Sequence, residues 1–327
     1  MKTRVAVIYG GRSGEHEISL RSAKSVIEAL DPDKYKVLHY MISKAGKWSP
    51  RPIVPEPNGN PEIDVVLPIL HGTFGEDGTI QGLLELAELP YVGAGVLASS
   101  ASMDKEVQKR LAREHGIPVA DFVILRSHAL DNLEDQCASL TFPAFVKPAN
   151  LGSSVGISKV RNATELRAAV EAAAKFDRKV IVERGIVGRE FECAVLGNEN
   201  PIASAPCEIF PSREFYDYED KYILDQAKIE LPANLTPEQT AEIQRLAIAV
   251  YKSVECEGMA RVDFLLENST GLFYANEINT IPGFTSISMY PKMWEHGGLP
   301  MPKLIDRLIE LALDRAEKKK SLSYTRE

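Results

Sequence analysis

The stretch Lys147-Pro-Ala-Asn-Leu-Gly-Ser-Ser-Val-Gly156 decides how this chain is read. A lysine, two glycines and two serines fall within ten residues, a composition suited to holding phosphate. The order excludes a P-loop, G-x-x-x-x-G-K-[ST], where the lysine follows the glycines and opens a helix. Here the lysine comes first. Residues 142–146 enter the segment as a strand, and residues 156–160 leave it with the alternation of a second strand. Two strands joined by Gly and Ser make a hairpin whose tip is dense in backbone N–H groups. Glycines let such a tip approach phosphate oxygens closely. Lys147, at the end of the entering strand, would reach the phosphates from below. Taken alone, the same residues also fit an ordinary Gly/Ser hairpin.

A second constellation gives the hairpin a context. Residues 261–266, RVDFLL, read as a strand that puts Arg261 and Asp263 on one face. Residues 273–279, FYANEIN, read as another, with Glu277 and Asn279 on one face, and Asn268-Ser-Thr-Gly271 supplies the turn between them. Pairing the two strands gathers carboxylate and amide oxygens beside an arginine. Hard oxygen ligands of this kind suit Mg²⁺ bridged to phosphates. The alternative is a solvated sheet edge carrying a salt bridge. The Gly-rich hairpin, with TIPGFTS (280–286) directly behind the second strand, favours the functional reading.

Bulk properties narrow the class. At 327 residues the chain has room for two or three domains. A formal charge of −8 argues against a dedicated nucleic-acid binder, because phosphate backbones reward clustered cations. Cys137, Cys193, Cys207 and Cys256 form no C-x-x-C pair and read as core or near-surface thiols of a reducing cytosol. No apolar run approaches the ~18 residues of a membrane span. The short run at 5–9 gives way to a polar loop, unlike a signal peptide. The expected location is cytoplasmic, with no membrane or nucleic-acid partner.

The organisation is that of an α/β protein in three segments, 1–102, 103–188 and 189–327. The first opens with a strand at 4–9, a glycine loop and an amphipathic helix at 18–30, with further strands at 37–42 and 64–70 and a loop at 46–62. The glycine loop, GGRSG (10–14), does not fit the dinucleotide fingerprint G-x-G-x-x-G. The second segment should carry a helix at 103–114 and strands at 119–125, 143–147 and 180–183. Asn162 and Glu165 resemble a capping box opening a helix to about 175. The third is strand-rich, at 190–196, 202–208 and 228–231, with a polar aromatic loop at 215–222. Its clearest helix, 237–255, has Thr236 as cap, Pro237 at its first position and Gln239 at its third.

Seven motifs, in order, then resemble the D-alanine–D-alanine ligase family of the ATP-grasp superfamily. They are GGRSGEHEISL (10–20), LHGTFGEDGTIQG (70–82), SMDK (102–105), VKPANLGSSVGIS (146–158), FYDYEDKY (215–222), MARVDF (259–264) and NEINTIPGFTSISMYP (276–291). The resemblance spans almost the whole chain. It implies a Rossmann-like N-terminal domain followed by a two-part ATP-grasp fold, in a homodimer. It also implies a reaction: ATP phosphorylates the carboxylate of one D-alanine, and the amine of a second attacks the acyl phosphate. The product, D-alanyl-D-alanine, is a peptidoglycan precursor.

By the same resemblance Lys105, Lys147 and the hairpin residues Gly152, Ser153 and Ser154 contact ATP phosphates, and Lys221 meets the γ-phosphate. Glu183, Ile186 and Glu190 line the adenosine pocket, Glu183 near the adenine amino group and Glu190 on the ribose. Asp263, Glu277 and Asn279 hold two Mg²⁺ ions, for which Mn²⁺ can substitute. Arg261 and the N–H of Gly283 stabilise the oxyanion of the tetrahedral intermediate. Glu15 anchors the ammonium of the first D-alanine, with Ser153 and Tyr222 linking it to the two loops that close the site. His71, Ser288 and the backbone of Met289 border the second D-alanine. Related ligases join D-alanine to D-lactate or D-serine; Tyr222 favours D-alanine over D-lactate. A non-catalytic ATP-binding module should lack metal ligands that are all present here. Cys207 departs from the glycine usual in relatives, which predicts an altered turn there.

Overall fold

The computed structural model describes residues 2–152, 155–211 and 228–323. Ser153, Ser154, Lys221 and Tyr222 lie outside the described residues.

The N-terminal unit runs β1 (Thr3–Gly10), α1 (His16–Ala29), β2 (Tyr35–Ile42), β3 (Trp48–Ser49), β4 (Val65–Ile69) and α2 (Thr79–Leu86); the connecting helices α3 (Val96–Met103) and α4 (Lys105–Glu114) come next. Its sheet has the order β3-β2-β1-β4, with β1 parallel to both β2 and β4. All five positions of β4 are buried, the unbroken apolar run of a parallel strand covered on both faces. The two residues of β3 fall inside the expected loop. The helix expected at 103–114 is α4, which starts two residues later because Met103 ends α3. Asp104 breaks the path in an extended conformation and caps α4, accepting from the N–H groups of Glu106 and Val107.

The central unit contains β5 (Phe122–Arg126), α5 (Leu133–Gln136), β6 (Ala144–Pro148), β7 (Ser158–Val160), α6 (Ala163–Ala173) and β8 (Lys179–Arg184), with antiparallel order β5-β8-β6-β7. The opening segment is the expected hairpin: Ala144 pairs with Val160 and Val146 with Ser158. Asn162 caps α6 through the N–H groups of Thr164 and Glu165. Glu165 reaches back to the N–H of Arg161, one residue before the cap, so the reciprocal half of a capping box is displaced.

The C-terminal unit contains β9 (Gly188–Leu196), β10 (Ile202–Ala203), β11 (Cys207–Phe210), β12 (Lys228–Glu230), α7 (Pro237–Ser253), β13 (Met259–Glu267), β14 (Phe273–Asn279), α8 (Met289–His296) and α9 (Met301–Lys320). The antiparallel order is β12-β11-β9-β13-β14, with β10 on β9. The single strand expected at 202–208 is broken around Pro206, which has no N–H to donate to a ladder. Cys207 lies buried inside β11 opposite Glu192, so the altered turn expected there is regular strand instead. Thr236 and Gln239 form the complete capping box of α7.

Burial shows how the units are joined. Ala94, Ala98, Ala101 and Ala112 from α3, α4 and their approach share one core with Phe191, Tyr251 and Val262, so these helices are carried on the C-terminal sheet. A second core runs from Val5, Val7 and Leu67 to Trp294, Leu304 and Leu308. The central sheet has a separate core around Leu125, Val146, Val170 and Val182. The four cysteines are free and buried. Among the described residues, no helix is long and apolar enough to cross a membrane.

Candidate active site

Strand register assembles one wall. Asp263 on β13 stands opposite Glu277 on β14 and opposite Glu192 on β9, while Arg261 stands opposite Asn279. The register shifts just after Asp263, a bulge of the kind that re-aims side chains beside active sites. Arg261 grips Asp263 with two bonds, Nε to Oδ1 at 2.7 Å and Nη2 to Oδ2 at 2.8 Å. Its Nε also lies 3.3 Å from Glu192 Oε1, and Asn279 Nδ2 donates to Asp263 Oδ2 at 3.2 Å.

The facing wall is built by α4 and the central sheet. Lys105 Nζ donates to the Leu151 carbonyl at 2.8 Å and lies 3.2 Å from Glu277 Oε1, so one ammonium touches both the Gly-rich hairpin and β14. Lys147 at the end of β6 pairs with Glu183 Oε1 at 2.7 Å, and Lys109, one turn along α4 from Lys105, pairs with Oε2 at 3.1 Å. Burial alone would raise the Glu183 carboxyl; the two ammonium groups overcome it and hold the group at about 2. Burial also lowers Lys109, despite its carboxylate partner. Glu190 and Ile186 are half-buried at the start of β9 and in the turn before it.

The third side comes from the N-terminal unit. Gly72 has φ +71°, and a Cβ there would lie 2.5 Å from Glu15 Oε2. A Cβ on Gly152 would lie 3.6 Å from the same oxygen. Glu15 therefore sits between the 72 loop and the Gly-rich hairpin, in a cleft of about 410 Å³ lined also by Ser13, Leu151 and Phe176. Glu76 accepts from the Gly72 N–H at 2.6 Å. Its carboxyl is raised well above the usual range, first by burial and then by the charges of Glu15 and Glu277.

His71 is buried, with Nδ1 3.1 Å from the Ile281 carbonyl and Nε2 3.0 Å from Ser22 Oγ. Burial lowers the imidazole to about 4, so it is neutral, donating from Nδ1 and accepting at Nε2. Ser22 also accepts from the Phe284 N–H, so His71 and Ser22 together fix the 281–284 backbone that carries Gly283. Ser288 Oγ accepts from the Thr285 N–H at 3.0 Å and shares a 2.8 Å bond with Thr285 Oγ1. A Cβ on Gly283 would come within 2.6 Å of that hydroxyl, so the turn admits no side chain there. The Met289 side chain is buried in the core.

Of the sequence-derived residues within the described chain, Lys105, Lys147, Glu183, Arg261, Asp263, Glu277 and Asn279 are joined by the ion pairs and register above, Glu15 lies beside Gly152 of the same hairpin, and His71, Gly283 and Ser288 form a second group at the 281–288 turn. Three further groups escaped sequence reading. Lys109 was signalled by its four-residue spacing from Lys105, and Glu192 by sharing a strand face with Glu190. Glu76 lies within a quoted motif but carries no pattern of its own.

No group of three or more His, Cys, Asp or Glu side chains among the described residues is arranged to hold a metal. The candidate set is Asp263, Glu277 and the amide oxygen of Asn279, three hard donors brought together by register. Their chemistry fits Mg²⁺.

Two antiparallel sheets, one offering lysines and a Gly-rich hairpin and the other carboxylates beside an arginine, define an ATP-grasp enzyme. The family model described as D-ala D-ala ligase C-terminus matches residues 111–310, and that described as D-ala D-ala ligase N-terminus matches 4–58 and 52–94. The chain is 63% identical over 326 residues to a D-alanine–D-alanine ligase of Solibacter usitatus (strain Ellin6076), covering 100% of both chains. It is 49% identical over 354 residues to that of Thermoanaerobacter sp. (strain X514), covering 97% of this chain and 98% of the other. Among solved structures, the D-alanine-D-alanine ligase from Coxiella burnetii aligns with a TM-score of 0.87 at 40% identity, covering 98% of this chain and 96% of that one. The VanG D-Ala:D-Ser ligase from Enterococcus faecalis aligns with 0.88 at 37% identity, covering 95% and 100%. The chain belongs to the D-alanine–D-alanine ligase family.

Proposed function

We propose that this protein uses ATP to join two D-alanine molecules through an acyl phosphate, supplying a peptidoglycan precursor. It would act in the cytoplasm as a homodimer, with segments 1–102, 103–188 and 189–327 as its domains. The observation that carries the reading is the double contact of Lys105, which bonds the Gly-rich hairpin at Leu151 and the metal strand at Glu277. An ammonium held between the two walls supports a reading in which it meets the phosphates of ATP.

In this reading Lys147 and Lys105 bind the phosphates, joined by Gly152, Ser153, Ser154 and Lys221, while Glu183, Ile186 and Glu190 receive the adenosine. Glu15 orients the first D-alanine by its ammonium, so that its carboxylate oxygen faces the γ-phosphorus. Positioning and charge neutralisation do most of the work of such a transfer. Asp263, Glu277 and Asn279 would hold two Mg²⁺ ions, or Mn²⁺, which neutralise phosphate charge when bound. Arg261, fixed in direction by Asp263 and Glu192, and the N–H of Gly283 then receive the oxyanion formed when the second amine attacks. His71 and Ser288 act by holding the 281–288 backbone that borders the second D-alanine. Ser153 and Tyr222 would link Glu15 to the closing loops, which exclude water from the acyl phosphate.

The structural likeness to a protein titled a D-Ala:D-Ser ligase makes D-serine the reading to test against. Phosphate release with D-alanine alone, and with added D-serine or D-lactate, separates these when the products are identified. Faster release with a mixed pair, giving the mixed product, would replace D-alanine at the second position.

A further inference from the structure

The buried pair of ammonium groups on Glu183 has a consequence beyond holding the fold. Each carboxylate oxygen serves one lysine: Oε1 takes Lys147 at 2.7 Å and Oε2 takes Lys109 at 3.1 Å. The two lysines differ in depth, the side chain of Lys147 being 10% exposed and that of Lys109 only 2%. They also differ in mounting. Lys147 ends β6 at the base of the Gly-rich hairpin, whereas Lys109 is fixed on α4. That helix is itself tied to the C-terminal sheet, because Gln108 Oε1 accepts from the Ile278 N–H at 3.1 Å. The charged groups acting on this carboxylate are Lys109 from α4 and Lys147 from β6; Glu277 from β14 acts in turn on Lys109.

A buried carboxylate stripped of its counter-ion is strongly disfavoured. If Lys147 turns toward a polyphosphate, Glu183 loses one of its two ion pairs. Only a second cation that stays in place lets it remain charged. We propose that Lys109 is a positioning residue of the nucleotide site, a fixed counter-ion that keeps Glu183 ionised while Lys147 is released to bind phosphate. The proposal rests on the reading that this cleft takes ATP. It assigns a division of labour: Lys147 exchanges partners and Lys109 does not.

The test is titration calorimetry with Mg-ADP at pH 7, run in two buffers of different ionisation enthalpy so that proton uptake is counted. Lys109→Met and the more conservative Lys109→Gln are compared with the unaltered chain. Without Lys109, departure of Lys147 leaves Glu183 unpaired, and the carboxylate takes a proton from solvent. The variants are expected to bind ADP at least tenfold more weakly and to take up close to one proton more than the unaltered chain. That extra proton disappears in Lys109→Met/Glu183→Gln. Wild-type affinity and proton count in the variants overturn the proposal. So does weaker binding without the proton, which is what a merely structural role gives.

The unaltered chain supplies a check that does not depend on variants folding. The carboxyl carbon of Glu183, followed by NMR through an ADP titration, should keep a carboxylate shift; a move to the carboxylic-acid shift overturns the proposal. Failure of the unaltered chain to bind ADP at all would instead overturn the nucleotide reading itself.

Discussion

Arg261 and Asp263, two positions apart on one face of β13, close a bidentate ion pair at 2.7 and 2.8 Å, and Asn279 across the ladder donates to the same carboxylate. In the proposed function the pair sets the cation that would receive the oxyanion directly against an oxygen that would hold the metal. Asp263→Asn keeps the shape but removes the charge that both a metal and Arg261 need. Turnover should fall on the order of 10²–10³-fold, the scale of losing a preorganised charge at the reacting centre. Phosphate release reports it, with far-UV circular dichroism checking that the fold persists.

Gly72→Ala should separate binding of the first amino acid from nucleotide binding. The left-handed backbone, φ +71°, strains any side chain, and the new Cβ would press on Glu15 Oε2 from 2.5 Å. If Glu15 anchors the substrate ammonium as proposed, it is thereby displaced and KM for the first D-alanine should rise at least about tenfold, the effect of ~1.4 kcal/mol of lost binding. The affinity for ADP should be unchanged.

His71 makes stability depend on pH in a defined window. An ordinary imidazole titrates at 6.5, but burial brings this one to about 4. Between these values the unfolded chain carries the proton and the folded chain does not, so the contribution is full above pH 6.5 and is lost as pH falls toward 4. It is on the order of 3 kcal/mol. Glu76, raised by burial, contributes in the opposite sense as pH rises above its ordinary value of 4.5. The comparison must therefore be between the unaltered chain and His71→Asn. Urea midpoints of the two should converge as pH falls from 7 to 4.5.

Thr236→Ala serves as a control at a distance. Thr236 caps α7 through the Gln239 N–H, and Gln239 returns the bond to the Thr236 N–H. Losing the cap should cost about 1 kcal/mol, visible as a lower thermal midpoint. KM and turnover below that midpoint should not change.

Much of this arrangement was legible in the sequence because it rests on short periods. The alternation of β13 and β14 fixes which of Arg261, Asp263, Glu277 and Asn279 share a face, and the hairpin 144–160 follows from two apolar strands flanking Gly and Ser. The capping box of α7 is written in four consecutive residues. What escaped depends on contacts between units. Helices α2 and α3 are eight residues each, too short for a clear period, and are held by packing on other elements. Asp104, by capping α4, sets the start of that helix two residues later than the apolar pattern suggests. Lys109 gains its meaning only when β8 brings Glu183 to it across 74 residues of chain, and Glu76 only when folding buries it near Glu15.

The most direct test of the central claim follows one oxygen atom. With D-alanine labelled with oxygen-18 in its carboxylate, and with ATP and Mg²⁺, an acyl-phosphate route transfers one labelled oxygen to phosphate for each peptide bond made. We predict one labelled phosphate per D-alanyl-D-alanine. Unlabelled phosphate, or label transfer without the dipeptide, would contradict the account.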